Sequence, residues 1–159
     1  MLAAMGGIKC YHSVTGKTAG APGSLAHVTT NDNLSQKAKA QVFLESNKEF
    51  AKDTLSVVGA TATAAAAGSL AVANSTKCAD AFGKLMNKAS EFLGNSTING
   101  KNVKDTIKNT KVFQKLNSLP TAAKAGIAAG AAALAVALPI LNQVTAAKAG
   151  YIEAQHEGQ

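Results

Sequence analysis

Two stretches of this 159-residue chain, 54–76 and 125–147, carry no ionisable side chain and consist mainly of Ala, Gly, Val and Leu. Ahead of the first, Ala40, Phe43, Leu44, Phe50, Ala51, Leu55 and Val58 recur at helical spacing, and Lys37, Lys39, Gln41, Glu45, Lys48, Glu49 and Lys52 fill the other face. No proline separates this amphipathic pattern from the apolar run. One long helix is therefore predicted over 33–73, opened by a capping box at Asn33–Gln36 and weakened at Gly59 and Gly68. Asn74-Ser75-Thr76 supplies a turn and a new N-cap for a helix over 75–93. Its apolar stripe is Cys78, Phe82, Leu85, Met86, Ala89, Phe92 and Leu93, with Gly94 placed as a left-handed cap.

Asn99-Gly100 marks a turn whose flanks are too short for a convincing hairpin. Asn102 and Asp105 open a third helix over 101–118, with Val103, Ile107, Val112, Phe113, Leu116 and Leu119 inward and Lys101, Lys104, Lys108, Lys111 and Lys115 outward. Pro120 ends it and admits a fourth helix over 121–155. Pro139 inside that helix removes a donor and opposes the Ala135 carbonyl, so a kink is expected there. Residues 1–31 show no periodicity and read as a mobile arm. The expected architecture is all-α: that arm, one helical domain over 32–156 in long-short-short-long order, and a tail at 157–159.

Composition sharpens the packing expectation. Apolar residues make up 47% of the chain, yet aromatics only 4%, so much of any core is Ala. Burial contributes about 25 cal/mol per Å², and an Ala side chain has little area to bury. Helices faced with small residues regain contact only by approaching closely. The two long helices should accordingly lie antiparallel along Ala60, Ala64 and Gly68 on one and Ala122, Gly126, Gly130, Ala133 and Ala137 on the other. Small residues at intervals of four form the groove that helices use to associate in lipid. A pair of soluble, close-packed helices is the alternative reading of the same spacing.

The net charge of +7 comes from Lys alone, because the chain has no Arg. Sequence-specific nucleic-acid readout favours the planar, bidentate guanidinium, so such binding is not expected. Cys10 and Cys78 form neither a disulfide framework nor a zinc site, and His12, His27 and His156 are scattered. Gly16-Lys17-Thr18 lacks the first glycine of a phosphate loop, having Tyr11 there. Asn74-Ser75-Thr76 and Asn95-Ser96-Thr97 match glycosylation acceptors but serve equally as helix boundaries. No catalytic residue, cofactor, metal or small-molecule substrate is implied, and the chain is not expected to be an enzyme.

The expected role is that of a small membrane-associated structural or oligomerising protein, with the lipid bilayer and self-association as its contacts. The alternative is a soluble module, cytoplasmic or exported, that binds a protein partner. A run of about 20 uncharged residues is the length a helix needs to span hydrocarbon. The second apolar segment is the stronger candidate, with Ile127, Leu134, Val136, Leu138, Ile140, Leu141 and Val144. The first seven residues lack the features of a signal peptide, so insertion would rely on the internal segments or a dedicated export route. Between the segments, 77–124 carries nine Lys against three acidic residues. Lysine near span ends is retained on the cytoplasmic side, which would place the two short helices there, against anionic lipid, with both termini across the membrane.

Overall fold

The computed structural model describes residues 25–158, and the expected arm at 1–24 lies outside them. Among the described residues the chain is mostly helical. In order the elements are α1 (Leu25–Thr30), α2 (Gln36–Asn74), α3 (Thr76–Asn95), β1 (Thr97–Ile98), β2 (Lys101–Asn102), α4 (Val103–Lys108), α5 (Lys111–Asn117) and α6 (Thr121–His156). The two long helices, α2 and α6, pack against each other. They contribute to both of two compact units, one formed by 25–60 with 134–158 and the other by 61–133.

In the first unit, Val28, Leu34, Ala38, Val42 and Ile152 make a small buried cluster. Val28 is 1% exposed, so part of the segment expected to be a mobile arm is instead a docked helix. The reason lies outside the local pattern: one buried Val, contributed by a single turn, has no periodicity to announce it. The capping box is also corrected. Ser35, not Asn33, caps α2, its Oγ accepting from the Ala38 amide at 3.2 Å, while the Asn33 amide donates to Asn31 Oδ1 at 3.0 Å within the preceding turn. α2 and α6 run in opposite directions here, since His156 meets Glu45 and Lys148 meets Asp53. Pro139 lies inside α6, and the helix continues past it.

In the second unit the helices are again antiparallel, Gly130 facing Thr61 and Ala65, and Gly126 facing Ala65 and Ser69. Within the expected Asn74-Ser75-Thr76 turn it is Ser75 that caps α3, accepting from the Cys78 amide at 3.3 Å, so the helix starts at Thr76. Gly94 is not a left-handed cap: α3 continues to Asn95, and Ser96 turns extended. The last carbonyls are taken by side chains instead, Ser96 Oγ donating to Phe92 O at 2.7 Å and Asn102 Nδ2 to Gly94 O at 2.5 Å. Asn99-Gly100 does close a hairpin, pairing Thr97 with Asn102 and Ile98 with Lys101. Asn99 (φ 51°) and Gly100 (φ 74°) both adopt positive φ, the geometry that joins two strands through two residues.

The helix expected over 101–118 is likewise replaced, by β2, α4 and α5. Asn109 and Thr110 break it, since Thr110 Oγ1 accepts from the Phe113 amide at 3.2 Å and starts a new helix. Short polar side chains that satisfy amides locally compete with helix continuation. The long-short-short-long order thus gains a hairpin and a divided third helix.

Candidate functional site

The helix contact in the second unit is built by what is missing from its side chains. A Cβ added to Gly126 would stand 2.8 Å from the Ala65 carbonyl oxygen and still nearer Ser69 Oγ. One added to Gly68 would meet Ala129 Cβ at 2.6 Å and the Ala125 carbonyl oxygen at 3.0 Å, and one on Gly130 would meet Ala65 Cβ at 3.2 Å. Gly68, Gly126 and Gly130 therefore sit where two backbones come closest, with Gly126 and Gly130 themselves buried. Ala64, Ala122, Ala133 and Ala137 are half-buried, whereas Ala60 is exposed. On α2 the residues that meet Gly126 and Gly130 are Thr61, Ala65 and Ser69, with Gly68 against Ala125 and Ala129. A strict interval of four overshoots the helical repeat by about 40° per step, at 3.6 residues per turn. Thr61, Ala65 and Ser69 keep the same interval of four and drift equally, but stand one position further along α2 than Ala60 and Ala64.

The large apolar side chains point the other way. On α2, Leu55 and Leu70 are each 62% exposed; on α6, Val136 is 65% and Ile140 55% exposed. Ile127, Leu138 and Val144 are exposed as well. Small residues thus fill the closest helix contacts while many of the Leu, Ile and Val side chains of the uncharged stretches face outward, Leu141 being a buried exception; a water-soluble bundle favours the reverse. Both α2 and α6 are long and apolar enough to cross a membrane. Within the most apolar eighteen residues of each, none is buried in α2 and 22% are in α6.

Ion pairs between the long helices lie in the first unit, beyond the apolar segments. Lys148 Nζ lies 2.7 and 2.9 Å from the Asp53 carboxylate oxygens and 3.6 Å from Glu49. Asp53 and Lys148 directly bound the two uncharged stretches, so the antiparallel register brings opposite charges together at one end. The hydrogen bond to Asp53 raises the Lys148 pKa against some loss of hydration, and the hydrogen bond from Lys52 lowers that of Glu49. Both groups remain in contact with water, where such pairs are screened.

The same unit also contains a contact that sequence reasoning missed. Glu153 is 5% exposed and accepts from Asn31 Nδ2 at 2.5 Å, with His27 Nε2 3.2 Å away. These three residues belong to an open cleft of about 440 Å³. They tie α1 to α6, a pairing across more than a hundred residues that leaves no local pattern. Ser46 Oγ and Thr54 Oγ1 are buried without a hydrogen-bond partner among the described residues, whereas Thr145 Oγ1 donates to Leu141 O at 2.8 Å. The described residues include no group of three His, Cys, Asp or Glu side chains able to hold a metal ion. No protein-family model, curated protein or solved structure matches this chain.

Proposed function

We propose that this protein is a membrane-embedded helical hairpin with a structural role, in which α2 and α6 cross the bilayer and pack through small residues. One observation carries the reading: the uncharged stretches of the two long helices turn Leu55, Leu70, Val136 and Ile140 outward while Gly68, Gly126 and Gly130 occupy the closest contacts. Water penalises such an outer surface, and hydrocarbon does not. At 1.5 Å rise per residue the uncharged helical stretches 54–74 and 125–147 cover about 32 and 35 Å, enough to cross the roughly 30 Å apolar core of a bilayer.

The small-residue faces are engaged inside one chain. Self-association would therefore use the outward surfaces, where exposed Ala62, Ala66, Ala131 and Ala135 alternate with larger side chains. The reading includes no catalytic step. Extraction of cell membranes tests it: the protein should stay in the pellet in alkaline carbonate and be released by detergent. Complete recovery as a monomer in the aqueous fraction would overturn it in favour of a soluble module whose exposed Leu and Val residues meet a protein partner.

A further inference from the structure

α3 is an amphipathic helix whose apolar stripe is only partly covered within the chain: Phe82 and Leu93 are half-buried, and the rest of the stripe is open. Leu85 is 61% exposed, Phe92 72% and Met86 44%, and Cys78 and Ala89 on the same stripe are exposed as well. The half-buried side of α3 begins at Phe82 and Leu93 on one edge of this stripe and runs round through Ala79, Ser90 and Gly83 to Gly94. Gly94 accepts from Asn102 and faces the Lys104 stem, and it lies roughly 140° around the helix from Ala89 at 3.6 residues per turn. On the remaining side stand Lys77, Lys84 and Lys88, all exposed and about 100–140° from Ala89. α5 repeats the arrangement in miniature, with Val112 and Leu116 exposed beside Lys111 and Lys115.

An exposed apolar stripe rimmed by lysine fits a particular surface. Leu, Met and Phe enter the boundary between headgroups and acyl chains, while Lys stems reach along the helix and place their ammonium groups among phosphates. Charge selects the headgroup. Residues 77–124 carry nine Lys and three acidic side chains, a surplus that anionic lipid attracts and zwitterionic lipid does not.

We propose that α3, seconded by α5, lies in the interface of an anionic membrane, with Leu85, Met86 and Phe92 buried in it and Lys77, Lys84 and Lys88 on its phosphates. The inference rests on the membrane-embedded reading, because the same unit holds the adjoining parts of α2 and α6.

Cys78, exposed and on the stripe, is the natural probe. The full chain with Cys10→Ser, carrying a polarity-sensitive dye on Cys78, is reconstituted into phosphatidylcholine vesicles with and without phosphatidylglycerol. Quenchers sit on the acyl chains. A second protein carries the dye at Leu138→Cys in a Cys10→Ser, Cys78→Ser background and reports whether α6 is in lipid. The Cys78 dye should shift to the blue and be quenched in the anionic vesicles only. Lys77→Gln, Lys84→Gln and Lys88→Gln together should weaken docking about a hundredfold, roughly fivefold per lysine. High salt should act in the same direction without any substitution.

Quenching at 138 with none at 78 overturns the inference and leaves the spanning helices standing. Equal quenching at 78 in both lipids overturns the assignment to anionic headgroups. No quenching at either position removes the membrane reading and this inference with it. Disulfide formation between Cys78 of two chains, with no lipid contact, would assign the stripe to a second copy instead.

Discussion

Gly126→Ala is the most direct perturbation of the helix contact. The new methyl group would stand 2.8 Å from the Ala65 carbonyl oxygen, and although Ser69 Oγ can rotate away, a backbone carbonyl cannot. The helices must part, and overpacking of this kind costs about 1–3 kcal/mol. Against it stands the gain of about 1 kcal/mol from replacing Gly by Ala inside a helix. Gly59→Ala isolates that gain, because a Cβ there meets nothing within 4 Å. The difference between the two variants should therefore be about 1–3 kcal/mol, equivalent to roughly 5- to 150-fold in the folding equilibrium. Gly68→Ala should resemble Gly126→Ala, and Gly130→Ala should fall between these and Gly59→Ala, its nearest contact being 3.2 Å. Unfolding by increasing dodecyl sulfate in mixed micelles provides the assay, read by energy transfer between dyes at Ala73→Cys and Thr121→Cys with the native cysteines replaced. Equal stability of Gly126→Ala and Gly59→Ala would refute the close approach.

Thr54→Val should raise stability by about 1 kcal/mol, because it removes a buried hydroxyl without a partner at nearly constant volume; the same unfolding titration reads it. Lys148→Gln should lower the melting temperature at neutral pH and flatten its dependence on alkali. Lys148 has a raised pKa, so its contribution is complete below the ordinary lysine value of 10.5 and disappears as pH rises through the folded-state value. Glu49, whose pKa is lowered, contributes above its ordinary 4.5 and loses that contribution as pH falls through the folded-state value. Melting curves across pH at low and high salt check both signs. In intact cells a membrane-impermeant thiol reagent should modify Cys10 and spare Cys78 if both helices span. Protection of Cys10, with labelling of Gly158→Cys once Cys78 is replaced, would mean that only α6 crosses.

The backbone path was legible wherever neighbours in sequence decide it. The absence of charge from 54–76 and 125–147, the Ala content, Ser75 and Pro120 set two long helices and their inner ends, because propensity and capping act within a few residues. Local patterns did less well where several short polar groups compete. Ser35 took the cap from Asn33, Thr110 divided a helix, and the side chains of Ser96 and Asn102 replaced a glycine cap at Gly94. Only the tertiary structure decided which small residues meet. In an Ala-rich helix every face offers candidates, and the meeting of Thr61, Ala65 and Ser69 with Gly126 and Gly130, while Ala60 stays exposed, follows from the register against α6. It also decided that Val28 is core, that Glu153 receives Asn31 and His27, and that Lys148 meets Asp53. Those partners lie some 95 to 126 residues apart, a separation at which no spacing in the chain specifies a contact until the two long helices have folded together.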